Sequence, residues 1–122
     1  MTLKEKLAKA LASRAEIEAD EERAESVVTG ACTPVHDLPD RCRATVSGVV
    51  RAVTLRPREG VPAVEAELYD GSGTLVLVWL GRREIAGIEP GRRLRVEGMA
   101  CEKGGRRVMY NPGYELRARP GE

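Results

Sequence analysis

The sequence predicts an all-β domain: a small five-stranded Greek-key barrel with a short helix between its third and fourth strands, preceded by an N-terminal helical arm. Three observations lead there. A chain of 122 residues, 42% hydrophobic and 32% charged, has the length and apolar content for one core. Up to about Val27 the apolar residues recur with a helical period. From Arg41 onward they alternate in short runs separated by glycine-rich turns, the spacing of a small barrel or sandwich.

The arm comprises residues 1–28. Thr2-Leu3-Lys4-Glu5 has the form of a capping box, and Leu3, Leu7 and Leu11 follow at i, i+4 and i+8, which predicts a short amphipathic helix. Ser13-Arg14-Ala15-Glu16 repeats the capping pattern ahead of a second helical stretch, with its acids near the favourable N-terminal end. Residues 29–40, TGACTPVHDLPD, hold Gly30, Pro34 and Pro39 without a sustained period and read as a linker.

The barrel is expected over residues 41–117. Its first strand, about 41–55, is long and interrupted at Gly48, where a bulge or sharp bend would let one strand serve both sides of a closed sheet. In the second, 63–69, Val64, Ala66 and Leu68 alternate with Glu65, Glu67 and Tyr69, and the turn Asp70-Gly71-Ser72-Gly73 returns the chain as a hairpin. The third, 74–80, is apolar on both faces and is therefore either covered twice or exposes an apolar surface. Residues 81–88 have room for two helical turns, with Ile85 and Ile88 as anchors, before Glu89-Pro90-Gly91 breaks the chain. A fourth strand, 92–101, turns at Lys103-Gly104-Gly105 into a fifth, 106–110. Asn111-Pro112-Gly113 ends that strand, a last extended piece at 114–116 packs afterwards, and 118–122 form a frayed tail.

Several segments in order resemble a known family. VSGVV at 46–50, ELYDGSGTLVLVW at 67–79 and IEPGRRLRVEG at 88–98 resemble the corresponding segments of anticodon-binding-type OB-fold (oligonucleotide/oligosaccharide-binding) domains. VMYNPGYEL at 108–116 resembles the end of the wedge OB domain of the RecG branch-migrating helicases. The overall pattern is also similar to small stand-alone OB-fold nucleic-acid-binding proteins of actinobacteria. This resemblance covers about 41–117 and implies a five-stranded barrel that binds single-stranded DNA or RNA on the sheet of its second and third strands. Because OB barrels also bind sugars and proteins, the site has to be argued from its own residues.

Single-strand binders combine a cationic groove with aromatic faces for the bases. The resemblance places Trp79 on the binding sheet as a stacking residue; read from its apolar strand alone, it is equally a core residue. Tyr69 shares a face with Glu65 and Glu67, two carboxylates that would repel phosphate if they line the groove. The cations available to follow a backbone are Arg51, Arg56 and Arg58 at the end of the first strand, Arg82 and Arg83 after the third, Arg93 and Arg95 on the fourth and Arg106 and Arg107 on the fifth. Arg93 and Arg95 are expected to point outward, alternating with Leu94 and Val96.

Net charge is only +1 but unevenly spread. Residues 1–26 carry five cations and seven acids, a net of −2, leaving +3 for the remainder. An acidic arm ahead of a basic body suits docking onto that body, self-association or a protein partner through Leu3, Leu7 and Leu11, or mimicry of a nucleic acid. An OB domain that binds protein through the arm or the sheet face is thus the alternative to nucleic-acid binding.

Cys32, Cys42 and Cys101 are odd in number and lack CxxC spacing, which fits a reducing compartment. With His36 they make formally a Cys3His set, but without the paired knuckles of structural zinc sites; no metal and no cofactor are expected. No nucleophile–base pair, P-loop or GxSxG is present, so a non-catalytic protein is expected. The absence of a long apolar run and the early charges Lys4, Glu5, Lys6 and Lys9 predict a cytoplasmic chain without a membrane span.

Overall fold

The computed structural model describes residues 32–118, together with Leu3, Ile17 and Ala19, each in helical conformation. The expected helices of the arm, the Leu7 and Leu11 stripe and the frayed tail lie outside the described residues. No helix among the described residues is long and apolar enough to cross a membrane.

Six strands form one sheet: β1 (Cys42–Leu55), β2 (Ala63–Tyr69), β3 (Thr74–Leu80), β4 (Arg93–Lys103), β5 (Arg106–Tyr110) and β6 (Gly113–Arg117). Hydrogen bonding runs in the order β1-β2-β3-β5-β4-β6, and β1 also pairs with β4, so the first five strands close into a ring. All pairings are antiparallel except that between β3 and β5. β6 lies outside the ring on β4.

Closure depends on the length of β1. Its first half, Cys42 to Val49, pairs with β4, and its second half, Val49 to Leu55, pairs with β2. The two halves meet beside Gly48, where a Cβ would lie 2.5 Å from the carbonyl oxygen of Tyr69. Glycine is therefore required by the close approach of two backbones. The expected bulge falls three residues later: the β1–β2 register shifts between Val50 and Ala52, so Arg51 is the extra residue.

Alternation fills the ring. Val46, Val50, Val64, Ala66, Leu68, Leu75, Leu77, Trp79, Leu94, Val96, Ala100 and Met109 form the interior. The second apolar face of β3 is also covered: Val76 and Val78 join Ala63 and Val108 in a small cluster outside the ring, with Tyr110 packed against it.

Two connections differ from expectation. Residues 81–92 form successive turns and contain no helix. Gly81, Gly87 and Gly91 adopt positive φ of 75°, 77° and 89°, which ends any helical turn as soon as it starts. Ile85 and Ile88 still act as anchors, both buried in the main core. Residues 32–40, read from the sequence as a linker, are a strap across the barrel. A 3-10 turn at Val35–Asp37 buries Val35 and Leu38 in the core. The strap is held by the Asp70 carboxylate, itself 1% exposed: Oδ2 accepts the Val35 N–H at 2.8 Å, and Oδ1 accepts Ser72 N–H, Ser72 Oγ–H and Gly73 N–H at 2.8, 2.7 and 3.1 Å. One aspartate thus closes the β2–β3 turn and fastens the strap to it.

Candidate functional site

The outer surface of β1, β2, β3 and β5 gathers the basic and aromatic residues. Register places Tyr69, Glu67 and Glu65 of β2 beside Val49, Ala52 and Thr54 of β1 on one side, and beside Thr74, Val76 and Val78 of β3 on the other. Beyond β3, the parallel pairing brings Val108 and Tyr110 of β5 alongside Val76 and Val78. These residues share one continuous face, and side chains from the two adjoining loops reach over it.

At its centre is Glu65. Its carboxylate is only 8% exposed, and three guanidinium groups surround it: Arg58 and Arg106 at 3.6 Å and Arg56 at 4.0 Å. Arg106 also reaches Glu67 at 3.9 Å. The arginines themselves remain 45–62% exposed. Glu65, which would repel phosphate if it lined an open groove, is instead buried beneath exposed guanidiniums. The acid is covered, and its charge holds three cations close together that would otherwise repel one another and disperse.

The two tyrosines flank this cluster. The bulge re-aims Arg51 so that its guanidinium lies 4.6 Å from the centre of the Tyr69 ring. Tyr110 has the Lys103 ammonium at 4.8 Å and the Arg58 guanidinium at 5.9 Å from its ring centre. Both rings are half-buried, each with part of its surface open to solvent. Arg51 thus stands over Tyr69, Arg58 and Lys103 stand over Tyr110, Arg56 and Arg106 join Arg58 around Glu65, and the two nearby acids, Glu65 and Glu67, are both paired.

The remaining predicted residues lie elsewhere. Trp79 points into the barrel, 6% exposed; its indole N–H donates to the Pro112 carbonyl at 3.0 Å, and its ring meets Tyr114 edge-on at 5.8 Å. It has no free face for a base, which corrects the stacking role that the resemblance implied. Arg107 is turned to the strap, donating to the carbonyls of Leu38 and His36 at 3.3 and 3.1 Å. Arg93 alternates with core-facing Leu94 and Val96 and shares the side of Arg95, but it is 3% exposed and so covered rather than open to solvent. Arg95 is half-buried with its Nε 3.4 Å from Ser47 Oγ, at the β4 border of the same face. Arg82 and Arg83 are exposed on the β3–β4 connection.

Lys103 and Tyr110 are the residues that the sequence reading missed. A signal for Tyr110 was present: on β5 it alternates with Met109, which faces the core, and shares the side of Arg106 and Val108. Lys103 is the only lysine after residue 26, set in a Lys-Gly-Gly turn, and nothing local shows that this turn carries it over Tyr110.

No family model matches this chain, and neither does any curated protein. Among solved structures it is similar to a chain described as "Structure of RecG bound to three-way DNA junction", with a TM-score of 0.58 and 19% identity over 73% of this chain. The likeness shows a shared β-barrel fold. The match spans 13% of that RecG chain.

Proposed function

We propose that this chain is an OB-fold barrel that binds single-stranded nucleic acid on the outer face of β1, β2, β3 and β5, without catalysis. The observation that carries the reading is the Arg56–Arg58–Arg106 group assembled on buried Glu65 between two tyrosines. Preassembled guanidiniums lose little conformational freedom on meeting phosphate. Adjacent tyrosine rings supply the sequence-tolerant stacking that single-strand binding uses, about 1–3 kcal/mol per base. The RecG structure, described as bound to a three-way DNA junction, lends support from a protein of similar fold. Tyr69 lies on the second strand, and the cations and Tyr110 border the second and third strands from β1, the β1–β2 connection, the end of β4 and β5; the strand 2–3 face is where OB-folds hold oligonucleotides.

The test is a fluorescence-anisotropy titration with labelled single-stranded DNA and RNA oligonucleotides at several salt concentrations. If Arg51, Arg56, Arg58, Lys103 and Arg106 all meet phosphates, log K falls against log salt with a slope of about −3.5, or about 100-fold between 50 and 200 mM. Arg58→Ala combined with Arg106→Ala is expected to reduce that slope by about 1.4. Binding that is absent even at low salt, or a double variant with an unchanged slope, removes the reading and leaves a barrel that binds protein.

A further inference from the structure

Beyond Val50, β1 has a neighbouring strand on one side only. The lead-in to β4 keeps pace with β1 as far as Val50, whose N–H donates to the Arg92 carbonyl at 2.9 Å and whose carbonyl accepts the Gly91 N–H at 2.7 Å. At Gly91, with a φ of 89°, the chain turns away. β1 runs on to Leu55 paired with β2 alone. In an antiparallel pair, successive residues direct their backbone groups alternately toward the partner strand and away from it. The Arg56 N–H donates to the Ala63 carbonyl of β2 at 2.9 Å, and Thr54 stands opposite Glu65. Ala52, Thr54 and Arg56 therefore face β2, and the N–H and C=O groups of Val53 and Leu55 face the open edge. None of those four groups has a hydrogen-bond partner among the described residues. The two side chains are open as well. They stand opposite the core residues Ala66 and Val64, on the same side of the sheet, yet are 37% and 54% exposed because β4 has left.

We propose that this edge takes up an extended acidic segment of a partner protein as an added strand antiparallel to β1, with apolar residues beside Val53 and Leu55 and acids alternating with them on the side of Arg51 and Arg56. Running that way, the partner continues the line of β4, and its apolar residues supply the donors and acceptors that Val53 and Leu55 lack. Cross-strand neighbours share a face, so the alternation of the partner follows from that of β1. On one side it meets two exposed apolar side chains. On the other it meets Arg51, Arg56, which is 62% exposed, and the cationic face beyond them, whose own acids Glu65 and Glu67 are already paired. The slot is bracketed by the bulge at Arg51 and by Pro57, which has no N–H, leaving room for about five residues or about 17 Å of strand. The same cations disfavour a second copy of this chain: two such edges laid antiparallel would bring Arg51 and Arg56 of both copies onto one side. Binding at the edge does not depend on the nucleic-acid function proposed above.

The experiment titrates the full chain, without nucleic acid, with the end-capped peptide Asp-Val-Glu-Ile-Glu-Val-Asp and follows amide hydrogen exchange by NMR. At nine-tenths occupancy, exchange at Val53 and Leu55 is expected to slow about tenfold, while Ala52 and Thr54, already bonded to β2, change little. Three comparisons accompany it. The same peptide N-methylated at its three apolar residues loses the donors that reach β1 and is expected to bind at least tenfold more weakly. So is the peptide with lysine in place of its four acids. The double variant Val53→Ser with Leu55→Ser, its barrel verified by unchanged Trp79 emission, is expected to bind the acidic peptide about tenfold more weakly. No binding up to about 1 mM overturns the proposal. Equal binding by the N-methylated or the lysine peptide, by the double variant, or binding that leaves Val53 and Leu55 unprotected, overturns it too. Protection of both amides in the free protein shows the slot already filled, by a second copy if sedimentation gives a dimer and by the chain itself if it gives a monomer, and overturns it in either case.

Discussion

Asp70 joins two parts of the molecule that are 35 residues apart in sequence, and its loss is expected to detach one of them. In Asp70→Ala the buried Val35 N–H loses its acceptor, and the Ser72 and Gly73 donors lose theirs. A hydrogen bond to a charged acceptor contributes about 1.5–3 kcal/mol, and the partly exposed turn bonds about 0.5–1 kcal/mol each. Some of these donors turn to water once the strap lifts, so the net cost is about 3–4 kcal/mol. Asp70→Asn separates the contributions. Its single carbonyl oxygen can serve either the three turn donors or Val35, so its amide group must face a donor, and about 2 kcal/mol is expected. Urea unfolding followed by Trp79 fluorescence measures both. With a slope near 1.5 kcal/mol/M, the alanine variant should unfold at about 2 M less urea and the asparagine variant at about 1.3 M less. A midpoint change below 0.5 M for Asp70→Ala would show that the carboxylate is not what fastens the strap.

Three further outcomes follow from the same geometry. Trp79 emission should be blue-shifted and unaffected by bound oligonucleotide while anisotropy rises; quenching on binding would contradict its placement in the core. Gly48→Ala should cost about 3 kcal/mol in chemical denaturation, because the added methyl meets backbone rather than a yielding side chain. Arg107→Ala should lower stability by about 1 kcal/mol through its two carbonyl contacts and leave the salt slope of binding unaltered; a smaller slope would place Arg107 among the phosphate contacts.

The strands were legible because alternation is a local property. β2, β3 and β5 span the residues that their side-chain patterns indicated, and the Asp-Gly-Ser-Gly turn lies where the hairpin required it. The departures lie where a distant partner decides the outcome. Val35 and Leu38 are two apolar residues in a proline-rich stretch without a period, and only the pocket beside the β2–β3 turn makes them core. Residues 81–88 have helical length, but positive-φ glycines and two buried isoleucines fold them as turns. At the candidate site, the arginines were legible as a population and not as a set. Arg58, Arg106 and Glu65 come from three separate segments, and closure of the ring is what brings them together. Trp79 was open between core and surface because β3 is apolar on both sides. The Pro112 carbonyl that accepts its indole N–H settles the orientation and is 33 residues away.

The single parallel pairing, between β3 and β5, also bears on how the chain is made. A ribosome completes the β1–β2–β3 meander at Leu80, but the strand that seals its far edge ends at Tyr110. At about 5–20 residues per second, the inner row of Leu75, Leu77 and Trp79 waits about 2–6 seconds for its covering strand. During that interval the free edge of β3 is an unpaired apolar strand, the kind of edge that recruits other chains. Crowded synthesis is therefore the stage at which this small barrel is most exposed to aggregation, and Asn111, which binds the backbone N–H of Leu80 at 2.9 Å, arrives only as that stage ends.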